Sequence, residues 1–156
     1  MRLIIAEKPS VGRALARALG LKGKAGREYI EGDDVLVSWC LGHLGELAMP
    51  EDYDPALKKW SWQALPILPD PFQVRARGGK GSGGARSQLA ALKRLLADRR
   101  VTEVVNACDS GREGELIFDF VLRLSGCRKP VLRLWTPSMT DEALRRAYRE
   151  MKPGTA

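Results

Sequence analysis

The chain has 156 residues, 44% of them hydrophobic and 29% charged, which calls for one domain with a true core and excludes a fibre or a disordered tail. Lysine and arginine outnumber aspartate and glutamate by 26 to 19, for a net charge of +7. That favours a polyanionic partner without requiring one. The apolar runs are too short for a membrane span. The N-terminus reaches Glu7 and Lys8 before a secretory apolar region can form, so a cytoplasmic protein with no membrane partner is expected. Cys40, Cys108 and Cys127 lie far apart with no CxxC pair, and His43 is the single histidine. These spacings argue against structural zinc and against a disulfide framework.

Taken in chain order, strands and helices alternate. Arg2–Ala6 carries the apolar run Leu3-Ile4-Ile5 and reads as a buried strand. Pro9 suits the first turn of a helix, where its missing N–H costs nothing. Val11, Ala14, Leu15, Ala18 and Leu19 then make one apolar face, and Gly20 ends it. Residues 34–40 form a second strand. The stretch 49–71 holds five of the nine prolines and reads as loop with short turns. Residues 72–76 read as a strand and 78–84 as a loop made flexible by its glycines. Residues 86–98 form a helix through Leu89, Leu92 and Leu96, and 103–108 a third strand. Leu116, Ile117, Phe120, Val121 and Leu124 mark an amphipathic helix. Residues 131–135 form a fourth strand. Thr140 is the N-cap of a last helix, with Asp141 and Glu142 in its first turn. That helix runs to about Met151, before Pro153 and Gly154. The pattern is α/β, with a mainly parallel central sheet flanked by helices.

Charge is unevenly spread. Residues 1–30 carry seven basic and two acidic side chains, 31–72 two and eight, and 73–100 eight and one, while the remainder is nearly balanced. Two basic segments around an acidic one polarise the surface if they meet in space; otherwise they are separate solvated faces.

In an open parallel sheet, ligands collect beyond the C-terminal strand ends. The first strand ends at Glu7, and the third at Asp109 in Asp109-Ser110-Gly111-Arg112-Glu113-Gly114-Glu115. If these strands are neighbours, their acids meet, and carboxylates at adjacent strand ends suit a hard cation such as Mg²⁺. Glu7 or Glu113 alone is better explained as an acid at a helix start; with Asp109 and Glu115 the group favours a metal site. The glycine-rich segment is no Walker loop, because Lys80 is followed by Gly81 instead of Ser or Thr. Around it, Arg75, Arg77, Lys80 and Arg86 are candidate contacts to a DNA phosphate backbone. His43, between Gly42 and Gly45, is either an acid–base group or an orienting one. Trp39, Trp60, Trp62 and Trp135 are core residues or base-stacking platforms, with the core reading preferred in a domain this small.

The opening Met1-Arg2-Leu3-Ile4-Ile5-Ala6-Glu7-Lys8-Pro9-Ser10 resembles that of type IA DNA topoisomerases, the topoisomerase III group most closely. So do Ser38–Leu44, Leu65–Pro69, Asp109–Glu115, Arg133–Trp135 and Ser138–Thr140. The Glu-Lys-Pro-Ser opening and the acid-Arg-Glu-Gly-Glu segment resemble the two signatures of a Toprim domain, a Rossmann-like module. The resemblance implies that Glu7 moves a proton at the scissile phosphate and that Lys8 stabilises charge there. It makes Glu7, Asp109 and Glu113 the residues of the Mg²⁺ site, with Asp109 and Glu113 as the direct ligands of one ion, and lets Arg112 hold a phosphate. Gly111 departs from the family's Asp-x-Asp motif, so one metal is expected where the motif would favour two.

The family cuts single-stranded DNA by attack of a tyrosine that lies far downstream. Tyr29, Tyr53 and Tyr148 match no such motif, and 156 residues cannot form the family's strand-passage toroid. Residues 1–156 are therefore expected to be the Toprim domain of a longer, monomeric topoisomerase, partnered by its remaining domains and inactive alone. The alternatives are a free-standing Toprim nuclease and a non-enzymatic basic DNA-binding module.

Overall fold

The computed structural model describes residues 1–23, 26–78 and 83–154. The strands are β1 (Arg2–Ala6), β2 (Tyr29–Glu31), β3 (Val35–Trp39), β4 (Gly45–Leu47), β5 (Val74–Ala76), β6 (Glu103–Ala107), β7 (Val131–Arg133) and β8 (Lys152–Pro153). The helices are α1 (Pro9–Ala18), α2 (Pro50–Tyr53), α3 (Gly83–Ala97), α4 (Arg112–Ser125) and α5 (Asp141–Arg149). Single 3₁₀ turns occupy Pro55–Lys58 and Trp62–Ala64.

Six strands form one sheet in the order β2-β3-β1-β6-β7-β8. The central four are parallel, and β2 and β8 close the edges antiparallel. Residues Ile4 and Ala6 of β1 face one apolar cluster, with Leu15 and Ala16 of α1 and Leu144 and Ala147 of α5. Leu3 and Ile5 face the other, with Leu89, Leu92 and Leu96 of α3 and Ile117, Phe118 and Val121 of α4. Alternation along each strand thus feeds two cores, giving three layers. Each fully buried Leu or Ile contributes roughly 1.5–3 kcal/mol of transfer free energy. Gly12 lets α1 approach the sheet, since a Cβ there would lie 2.6 Å from the ring of Trp39.

The α/β reading holds, and several details differ from it. The expected strand 72–76 forms only over Val74–Ala76. It pairs with β4 in a separate two-stranded sheet, because its neighbours Phe72 and Gln73 lie in the proline-rich appendage. The strand expected to reach residue 135 ends at Arg133, where the backbone turns toward Ser138. Helix α3 begins at Gly83, three residues before the expected start. Pro153 pairs with Leu132 as part of β8, in addition to following the last helix. Helices α1 and α3 pack on opposite faces of the sheet, yet the two basic segments meet beyond β3, where Arg13 and Arg27 line one groove with Gly83, Ser87 and Gln88. Of the tryptophans only Trp39 is core; Trp60, Trp62 and Trp135 are exposed.

Candidate active site

The order of the sheet reverses at β1: α1 carries the chain to β3 on one side, and the later strands return on the other. Such a reversal opens a crevice at the strand ends. Ala6 is level with Trp39 of β3 and Ala107 of β6, so Glu7, Cys40 and Cys108 leave the sheet side by side, with Asp109 one residue on. The sequence-predicted acids Glu7 and Asp109 therefore do meet.

The carboxylate of Glu7 is buried, with its side chain 7% exposed. Its Oε2 accepts the backbone N–H of Asp109 at 3.3 Å. The Nζ of Lys8 lies 3.3 Å from Oε1 of Glu7 and 3.7 Å from Oδ2 of Asp109. Hydrogen bonding to Glu7, then the charges of Glu7 and Asp109, hold the Lys8 ammonium above its ordinary pKa. Lys8 occupies the N-cap of α1 with no side-chain cap of its own, and Pro9 supplies the first helical residue.

Glu113 is brought to the same edge but is turned elsewhere, its Oε1 lying 3.2 Å from Nε2 of His43. Arg112, the first residue of α4, is exposed. Glu115 leaves the cluster, accepting from Nδ2 of Asn106 at 2.9 Å and pairing with Nε of Arg133 at 2.6 Å. Of the DNA-contact candidates, Arg75 is committed to Glu46 and Asp52 at 3.1 and 2.7 Å. Arg77 and Arg86 are exposed, and Lys80 lies outside the described residues. Tyr53 accepts the N–H of Gln73 at 2.7 Å, Tyr148 accepts from Arg2, and Tyr29 lies in the edge strand β2.

Three supporting residues escaped the sequence reading. Arg133, 12% exposed, donates from Nη2 to the carbonyl of Asp109 at 2.9 Å, and its Nη1 lies 2.9–3.0 Å from those of Cys108 and Asn106. Its Nε–H is not aimed at Glu115, so that contact is an ion pair and not a hydrogen bond. Asn106, buried in β6, accepts the Cys108 N–H at 3.0 Å. Gly114 is obligatory, since a Cβ there would fall 2.1 Å from the Asp109 carbonyl oxygen. The available signals were polar interruptions: an asparagine and an arginine inside otherwise apolar strands.

Among the described residues no three metal-ligating side chains converge. The donors at the strand ends are nonetheless carboxylate oxygens, which suit Mg²⁺. Those of Asp109 and Glu113 are 50% and 73% exposed and free to face solvent, so the residues fit the ion by chemistry. In Cys108 the hydrogen bond to Cys40 and then burial push the thiol pKa up, which keeps it an inert neighbour of the site.

Residues 2–137 match the profile of the Toprim domain, a class of generally metal-binding domains. The chain is 41% identical over 154 residues to DNA topoisomerase 3 of Staphylococcus epidermidis, covering 99% of this chain and 21% of that protein. It is 40% identical over 152 residues to DNA topoisomerase 3 of Bacillus subtilis, covering 97% and 20%. The chain thus spans about a fifth of the length of these relatives. The structure of full-length topoisomerase I from Thermotoga maritima superposes with a TM-score of 0.58 at 17% identity, over 97% of this chain and 21% of that one. At that identity the likeness is one of fold. On the match that runs from the start of β1 to the loop beyond β7, the chain belongs to the Toprim domain family.

Proposed function

We propose that this chain is the metal-binding domain of a topoisomerase-3-like type IA enzyme, a cytoplasmic monomer that cuts and rejoins single-stranded DNA with a tyrosine from another part of the polypeptide. The observation that carries the reading is the Lys8 ammonium set between the carboxylates of Glu7 and Asp109 at the reversal of the sheet. The identity to two DNA topoisomerase 3 proteins along nearly the whole chain supports it.

Asp109 and Glu113 would hold one Mg²⁺, with Glu7 beside them and Gly111 adding no further carboxylate. When bound, the ion supplies positive charge against the charge that grows on a phosphate in the transition state. The chain's own groups do the rest. Lys8 presents a permanent cation to the same phosphate. Glu7, largely shielded from water, is placed to hold or give up a proton beside it. Arg112, exposed at the start of α4, binds a phosphate oxygen of the strand, and Arg77 and Arg86 contact its backbone.

The test is a chimera in which this chain replaces the matching fifth of the Bacillus subtilis protein. Mg²⁺-dependent relaxation of negatively supercoiled plasmid and a covalent protein–DNA adduct are expected. A folded chimera that yields neither overturns the reading. Metal-dependent cutting by the 156-residue chain alone points instead to a nuclease. Salt-sensitive DNA binding that ignores Mg²⁺ points to a binding module.

A further inference from the structure

Away from the strand ends, the appendage formed by β4, β5 and α2 leaves an apolar surface open. Of eleven large hydrophobic residues exposed among the described residues, seven lie between Leu47 and Phe72. Trp60 is 66% exposed, Leu68 73% and Trp62 89%. Four of the seven, Leu47, Trp60, Leu65 and Phe72, line a groove of about 340 Å³ together with Tyr53 and Ile67. Scattered exposed apolar residues are ordinary, but a contiguous set marks an interaction surface. The walls are also tied together. Tyr53 of α2 accepts the N–H of Gln73, and Arg75 of β5 bridges Glu46 of β4 and Asp52 of α2. A groove held this way has little ordering entropy left to lose on binding.

Charge narrows the occupant. Residues 45–76 carry five acidic and three basic side chains on a chain that is +7 overall. A nucleic acid would meet a net-acidic segment of a basic protein there, and an apolar floor in place of phosphate-binding groups. A second copy would set one acidic rim against another. A protein face with apolar anchors and basic surroundings fits both the floor and the rim. The relatives are about five times as long as this chain, so a polypeptide of that length brings such a face within reach.

We propose that the Trp60–Phe72 groove is the seat on which the other four-fifths of a topoisomerase-3-like polypeptide packs, through an apolar face rimmed by basic residues. The inference rests on the function proposed above, and the chimera separates the two. Hydroxyl-radical footprinting, read at single side chains by mass spectrometry, compares the chimera with the 156-residue chain. Labelling of Trp60, Leu65 and Phe72 should fall by roughly fivefold or more in the chimera, as burial in a water-excluding interface core requires. Trp60→Ser with Phe72→Ser in the chimera should restore labelling of Leu47 and Leu65.

Equal labelling in both proteins, with the chimera active, overturns the docking site and leaves the function standing. A folded chimera that shows protection and no relaxation keeps the docking site and overturns the function. Protection that appears in the isolated chain on raising its concentration assigns the groove to a second copy. Protection that appears on adding an oligothymidylate assigns it to DNA. Either of these last results replaces the proposal.

Discussion

A single ammonium, that of Lys8, stands between two carboxylates and is more than half exposed, so its removal spares the packing while it strips the site of a fixed cation. In the chimera, Lys8→Ala and Glu7→Ala should each lower cleavage and rejoining by roughly 10²–10³-fold, the loss expected for one preorganised electrostatic or proton-transferring group. Steady-state relaxation and single-turnover cleavage measure it, with thermal melting to show that each variant is folded. Gly111 offers a second test. Its φ is −87° and nothing lies within 4 Å of a Cβ built there, so Gly111→Asp fits without strain. The added carboxylate should tighten Mg²⁺ binding and lower the stability of the metal-free chain, through repulsion at one strand end. Asp109→Asn should weaken binding and leave the metal-free fold at least as stable. Titrating Mg²⁺ while following the amides of residues 7–8 and 109–115 distinguishes these outcomes; shifts centred on residues 46–54 would refute the assignment.

At the scale of the element, β7 supports β6 through one side chain. Arg133→Met leaves the carbonyls of Cys108 and Asp109 without their donor; the part-buried Cys108 carbonyl carries the cost of an unsatisfied acceptor, about 1–3 kcal/mol, while that of Asp109 is open to water. A loss of roughly 1–3 kcal/mol in urea denaturation is expected, with local disorder at Asp109. Adding Glu115→Gln should cost less than the two losses summed, because both act through one contact. Little of this was legible in the sequence. The buried strands β1, β3 and β6 declare themselves as apolar runs, and α1, α4 and α5 by their periodicity and end signals. Tyr29–Glu31, Gly45–Leu47 and Lys152–Pro153 are two or three residues long, with no period to read. The first and last exist because a longer neighbour offers them a ladder, and Gly45–Leu47 because the equally short Val74–Ala76 pairs with it. Glu7 and Asp109 were legible because each ends an apolar run. The partnership of Glu113 with His43 was not, since it joins residues 70 positions apart across a loop with no pattern. Trp60 and Trp62 were misread toward the core because composition cannot tell a buried ring from one left open for a partner.

For the whole molecule, the proposal separates chemistry from strand passage. The 156-residue chain by itself should neither change the linking number of supercoiled plasmid nor form a covalent adduct with DNA, because none of its three tyrosines hydrogen-bonds to Glu7, Lys8 or Asp109 among the described residues. Gel analysis of topoisomers and denaturing gels of labelled DNA check this. The appendage also has a mechanical consequence. Residues 43–45 clasp α4 twice: His43 at Glu113 in the first turn, and Gly45 against Phe120 and Leu124 near the last, where a Cβ would come within 2.9–3.0 Å of both side chains. A rigid rod gripped at two points cannot tilt at one without tilting at the other. Glu113 and Leu124 are eleven residues apart, roughly 16 Å along the helix at 1.5 Å per residue. A methyl group added at Gly45 therefore acts on the proposed metal ligand as a weight acts on the far arm of a lever.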